Sequence, residues 1–231
     1  MKSSYKMAAF ALTFALAFTA CGDSTSASDN GNGEGGSTPC SEGIQGQCPA
    51  ALEEGTICDI RDGKIYKVAT FGTQTWMIQN LNYYACSVKS ESWCYDDDDA
   101  NCEQYGRLYS WPGAMGLGME YRNNYANVQG VQRGNCPSGF HVPSDAETDI
   151  LIEYFDANGG EVAFNLTLSG EKTSTGFAEL GRKAYFWTTD EDHSQFGGPR
   201  NALIWSYSDT FGFGGGSLMK DGGLSVRCVK D

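Results

Sequence analysis

Four consecutive aspartates, Asp96 to Asp99, followed by Asn101 and Glu103, are the densest run of oxygen ligands in the chain. Calcium takes six to eight oxygens in a flexible shell. A loop bounded by Cys94 and Cys102 would present several of them. A calcium site at Asp96, Asp97, Asp98, Asp99 and Asn101 is therefore one expectation. The run lacks the alternating ligands, central glycine and closing glutamate of an EF-hand loop. The competing expectation is a solvated acidic loop.

Other chemistry-bearing residues are sparse. The chain has two histidines, His141 and His193. His141 precedes Pro143 and a well-capped helix, which suits a structural hydrogen-bonding role, while His193 sits among carboxylates. Neither is paired in sequence with a nucleophile. With two histidines and no Cys-x-x-Cys, structural zinc is a weak reading. The glycine-rich run Gly212 to Gly216 lacks the Lys and Ser/Thr of a phosphate loop. Trp187, Trp205, Tyr207, Phe211 and Phe213 cluster late in the chain and are candidates to stack on a sugar, since an exposed aromatic patch marks an interaction surface. Each of them alone would equally suit a core. Carboxylates are plentiful but unplaced, so glycoside hydrolysis stays open.

These residues need elements to hold them. Asp62-Gly63 is a good turn. The strand formers Ile65, Tyr66, Val68 and Phe71 follow, Gly72 turns again, and residues 73–81 return as a second strand. A short helix is expected from Asn101 to Trp111. The clearest helix starts at Ser144, with Glu147 three residues on as a capping box, and ends at Asn158-Gly159. Beyond it, short strands and glycine-rich loops are expected. The stretch Gly223 to Asp231 alternates: Leu224, Val226 and Cys228 fall on one face, Ser225, Arg227 and Val229 on the other.

The N-terminus must be set apart from the fold. Lys2 and Lys6 precede an apolar run up to Cys21 that is too short for a membrane helix of about 20 residues, and reads as a secretory signal over residues 1–20. Thr19 and Ala20 directly before Cys21 resemble a bacterial lipoprotein site, in which the cysteine is acylated. An ordinary signal cleaved near Ala20 is the alternative. Residues 21–39 are Gly, Ser, Asp and Asn with almost nothing apolar, a flexible tether. A cysteine-rich extension (40–58) and a main domain (59–231) follow. The expected location is the cell envelope, lipid-anchored at the outer membrane or cell surface. The formal charge is −13; losing Lys2 and Lys6 with the leader, and no acids, takes it to −15. Such a chain does not suit a nucleic-acid backbone.

Nine cysteines are present. With Cys21 acylated, eight remain, enough for four disulfides in an exported chain. Sequence alone allows 105 pairings. Cys40, Cys48 and Cys58 are three in a short stretch, so at least one pairs elsewhere, Cys86 being the nearest candidate.

Four strings then fall in a recognisable order: "FGTQTWMIQNLNY" (71–83), "SWCYDDDDANCEQYGRLYSW" (92–111), "GNCPSGFHVPSDAE" (134–147) and "GGLSVRCVKD" (222–231). Together they resemble the Fibrobacter succinogenes major paralogous domain, over about Gly63 to Asp231. The resemblance implies an exported protein or lipoprotein of generally unassigned activity. It also implies an α+β, C-type lectin-like fold, disulfide-braced, with one main helix, short strands and long glycine-rich loops. In such a fold the last strand closes the domain, which implies pairing of Cys136 with Cys228. Cys94 with Cys102 is the next pair, and Cys40, Cys48, Cys58 and Cys86 make the rest in open order. The Glu-Pro-Asn, Gln-Pro-Asp and Trp-Asn-Asp strings of calcium-dependent sugar sites are absent. Formylglycine-generating chemistry, found in a similar fold, needs a late cysteine pair, and only Cys228 follows Cys136. The expected function is a module binding polysaccharide or a surface protein. A cell-surface hydrolase or oxidase and a passive structural domain are the alternatives.

Overall fold

The computed structural model describes residues 46–85 and 91–231. The expected signal segment, Cys21 and its lipid, the tether, Cys40 and Cys86 lie outside the described residues.

The first sheet grows from the hairpin foreseen around Gly72. β1 (Thr56–Cys58) pairs with β2 (Ile65–Phe71), which turns back into β3 (Gln74–Met77). A small ribbon joins β4 (Ser92–Trp93) to β5 (Leu108–Tyr109) around α1 (Asp99–Tyr105). Asp98 starts α1 by accepting the Ala100 amide at 2.9 Å. Gly106 ends it at φ 76°, where an added Cβ would lie 2.7 Å from the Asn80 Cβ. Ser110 caps α2 (Trp111–Met115). β6 (Phe140–His141) leads into α3 (Asp145–Asn158), whose capping box forms as the Ser144/Glu147 spacing predicts. The short α4 (Glu161–Phe164) follows.

The remaining chain builds a second sheet from β7 (Ser169–Thr173), β8 (Gly176–Leu180), β9 (Ala184–Glu191), β10 (Asn201–Ser208) and β11 (Gly212–Met219). Its order is β11-β10-β9-β7-β8. The first sheet, completed by β12 (Val229–Lys230), runs β1-β2-β3-β12-β6.

The stretch 223–231 is the seam between the sheets. Gly223 to Val229 are all buried. Leu224 exchanges hydrogen bonds with Tyr109, and Ser225 bonds the backbone of Tyr185 and Trp187 in the second sheet. Val226 and Cys228 then accept the Leu81 and Met77 amides at the first sheet. The predicted alternation sorts its apolar side chains. Leu224, Val226 and Cys228 join one hydrophobic cluster with Trp111 and Trp187, whereas Val229 joins the other with Trp76, Phe155, Phe186 and Trp205. Arg227 is fully buried and has no carboxylate partner among the described residues. Its guanidinium donates to Asn80 Oδ1 at 2.6 and 3.0 Å and to the Phe164 carbonyl at 2.7 Å, and lies 4.7 Å over the Phe164 ring. Burial pushes it down to about 9, which leaves it charged at neutral pH.

The expected architecture, a C-type lectin-like domain with one main helix and long glycine-rich loops, is not what forms. Among the described residues there are four α-helices and two five-stranded sheets, with three disulfides: Cys48–Cys58, Cys94–Cys102 and Cys136–Cys228. The late glycines misled the expectation. Gly212 and Gly214 to Gly216 are strand residues of β11, fully registered against β10 at the exposed sheet edge. The helix expected at Asn101–Trp111 splits at Gly106, giving α1, a strand and α2. No helix among the described residues is long and apolar enough to cross a membrane.

Candidate functional site

A cavity of about 540 Å³ opens where three distant segments meet: the loop 127–132, the β6–α3 junction and the end of β9. Both histidines of the chain line it. The volume falls in the range of ordinary small-ligand clefts.

Its floor is fixed by charge pairs. His141 is buried and both ring nitrogens are engaged, Nε2 with Glu147 Oε1 at 2.9 Å and Nδ1 with Asp231 Oδ1 at 2.8 Å. An imidazole between two carboxylates donates from both nitrogens only when protonated. Burial alone would lower the His141 pKa; the bonds to Glu147 and Asp231 outweigh it and raise it. Burial would likewise raise Glu147, but the His141 bond and the Ser144 amide and hydroxyl hold its carboxyl down at about 2. Asp190 accepts the Asp145 amide at 2.7 Å at the start of α3. Asp145 itself is pushed up by burial and by repulsion from Asp149 and Asp190.

Glu191 carries the facing loop. Its carboxylate accepts the amides of Ala126 at 2.9 Å and Asn127 at 2.7 Å. Behind it stands Lys220, which is paired with Glu191, donates to the Asn124 and Pro199 carbonyls, and lies 4.5 Å over the Trp111 ring. His193, exposed at the rim, stacks on Tyr125 with centroids 4.4 Å apart. The exposed side chains of Asn127, Gln129 and Val131 complete the opposite wall. The carboxylates lining the cavity thus already hold a partner, and His141 keeps no free lone pair for proton transfer. What the walls offer a ligand is hydrogen bonding.

The residues singled out from the sequence lie elsewhere. Asp96 to Asp99 are exposed; Asp98 caps α1, and Asn101 turns its amide back to the Tyr95 carbonyl at 2.9 Å. Among the described residues no group of three or more His, Cys, Asp or Glu is disposed to hold a metal. Trp187 is wholly buried, with its indole donating to the Tyr109 carbonyl at 2.7 Å. Trp205 is 2% exposed and stacked on Phe186 at 4.0 Å. Trp187 is thus withheld from any surface ligand, whereas the edge of Trp205 lines a shallow cavity of about 220 Å³ with Thr148, Ile204 and Phe213. Tyr207 is half-buried against Phe213, and Phe211 is exposed at the β10–β11 turn beside a shallow depression lined by Arg182 and Lys183. The cavity itself was missed because its walls are far apart in sequence. One signal was available: His141 and Glu147 share a motif with the capping box, so a histidine had to lie at that helix start.

Comparison with curated proteins finds no match, and comparison with solved structures finds none. The stretch from β2 to the start of α4, which carries the hairpin, the Cys94–Cys102 loop, His141 and Glu147, does have a counterpart: residues 69–161 match the family model described as the Fibrobacter succinogenes major domain.

Proposed function

We propose that the protein is an envelope lipoprotein, anchored through Cys21, whose domain binds a hydroxyl-rich ligand in the cavity between residues 127–132 and 189–193. The ligand class is polysaccharide, or the glycan of a surface protein. One observation carries this reading: the cavity is open and polar, yet its fixed charges are neutralised internally by His141, Lys220 and the start of α3. Such a site disfavours strongly charged ligands and rewards neutral groups that both donate and accept hydrogen bonds. The commitment of both His141 nitrogens favours binding over hydrolysis.

The test is a glycan binding screen on the oxidised full chain, with calcium and with chelator. Binding that survives chelation and falls in Gln129→Ala and His193→Ala is expected. A folded protein that binds no plant or bacterial glycan defeats the proposal, and binding lost on chelation moves attention back to Asp96–Asp99. For the anchor, alkyne-palmitate should label the wild type and not Cys21→Ser.

A further inference from the structure

A second cavity, of about 280 Å³, lies towards the other side of the first sheet, between the start of β2, the segment after β3 and the end of α1. Its lining is rich in carboxamides: Gln79, Asn80, Asn82, Gln104 and Asn165 all contribute. Lys64 and Glu103 are the charged residues among its walls, opposite in sign, and Lys64 already faces Asp62 at 3.5 Å. We propose that this cavity is a separate binding site for one residue of a neutral saccharide.

The amides divide into a floor and a set with spare capacity. Asn80 is the floor, and it is spent: its oxygen takes Arg227, and its NH₂ donates to the Tyr105 carbonyl at 2.9 Å and the Ser225 hydroxyl at 3.2 Å. The other four are not. Asn82 gives its NH₂ to Glu103 at 3.3 Å and keeps its oxygen. Asn165 gives its NH₂ to the Ile78 carbonyl at 3.3 Å and keeps its oxygen. Gln79 does the reverse, accepting the Lys67 amide at 2.7 Å and keeping its NH₂. Gln104 is exposed and has no partner among the described residues. The cavity therefore holds spare acceptors and spare donors side by side without net charge.

A hydroxyl group donates once and accepts twice. A ring carrying several hydroxyls is the ligand chemistry that uses such a mixed set fully, whereas an anion would leave the acceptors facing it and a cation would leave the donors. Half-buried Tyr105 provides a ring for the apolar face of a pyranose. The volume matches one ring rather than an extended chain. A peptide would need apolar pockets for its side chains, and this lining offers few.

The site is independent of the cavity around His141, so the two can be separated in one experiment. The oxidised, isotope-labelled full chain is titrated with glucose, galactose, mannose, xylose and N-acetylglucosamine while the side-chain amide resonances are followed by NMR. At least one sugar should shift Gln104 and Asn82. Gln104→Ala should weaken that binding about tenfold, and Gln104→Trp, which fills the mouth, should abolish it. His193→Ala, at the other cavity, should leave these shifts unchanged. The proposal is overturned if no sugar moves these amides in a folded protein, or if binding persists in Gln104→Trp.

Discussion

Lys220 and Glu191 form an ion pair from which solvent is excluded, with side chains 0% and 2% exposed. The pair joins the end of the second sheet to the loop that walls the main cavity, because Glu191 also holds the Ala126 and Asn127 amides. Removing one member of a buried pair strands the other charge, at a cost of about 3–5 kcal/mol. Lys220→Met should therefore destabilise the domain by that order in urea unfolding. The double variant Lys220→Met with Glu191→Leu should cost less than the sum of the singles. Additive losses would show that the two charges do not act together.

Cys136 and Cys228 are separated by 92 residues, Cys94 and Cys102 by 8. In the chain-entropy model these crosslinks contribute about 4.6 and about 2.5 kcal/mol. Cys228→Ser should lower the unfolding midpoint more than Cys102→Ser. Equal losses would mean that local effects outweigh loop length.

The His141 clamp predicts a stability plateau. Its pKa is raised above 6.5, so its contribution is full below 6.5 and fades as pH climbs through the folded value. Glu147 is held at about 2 against an ordinary value of 4.5, so its contribution is full above 4.5 and fades as pH falls towards 2. His141→Gln should flatten the alkaline limb and shift the acid limb towards higher pH. Thermal melts across this range check it; an unchanged profile would remove the clamp from the account of stability.

Two buried tryptophans should respond differently to loss of the indole NH. Trp187 uses it on the Tyr109 carbonyl, whereas the Trp205 Nε1 has no partner among the described residues. Trp205→Phe keeps a ring against Phe186 and loses no hydrogen bond, so Trp187→Phe should cost about 1 kcal/mol more. Chemical denaturation of the two variants gives the comparison.

The sequence was most informative where structure is local. The Ser144/Glu147 box, the Gly72 hairpin and the 224–229 alternation each depend on neighbours within a few residues, and each formed. The second sheet was harder to read because β9 is covered on both faces: Phe186 packs in one cluster and Trp187 in the other, so no alternation marks which side is inside. That is also why the wholly buried Trp187 looked available as a ligand contact. Both cavities escaped for a different reason, since each collects side chains from three or four segments that only tertiary folding brings together.

The buried seam at Gly223–Val229 sets the order of events during synthesis. Chains emerge N-terminus first, and each sheet takes bonds from a stretch that leaves the ribosome after every other element except β12. Until then the two halves lack the piece that both lean on, and Cys136 has no partner. A chain broken off before Gly223 would hold every element described except β12 and still present its apolar faces to proteases and chaperones. Closure of the domain is thereby tied to the arrival of this one stretch, because without it neither sheet holds its full set of bonds.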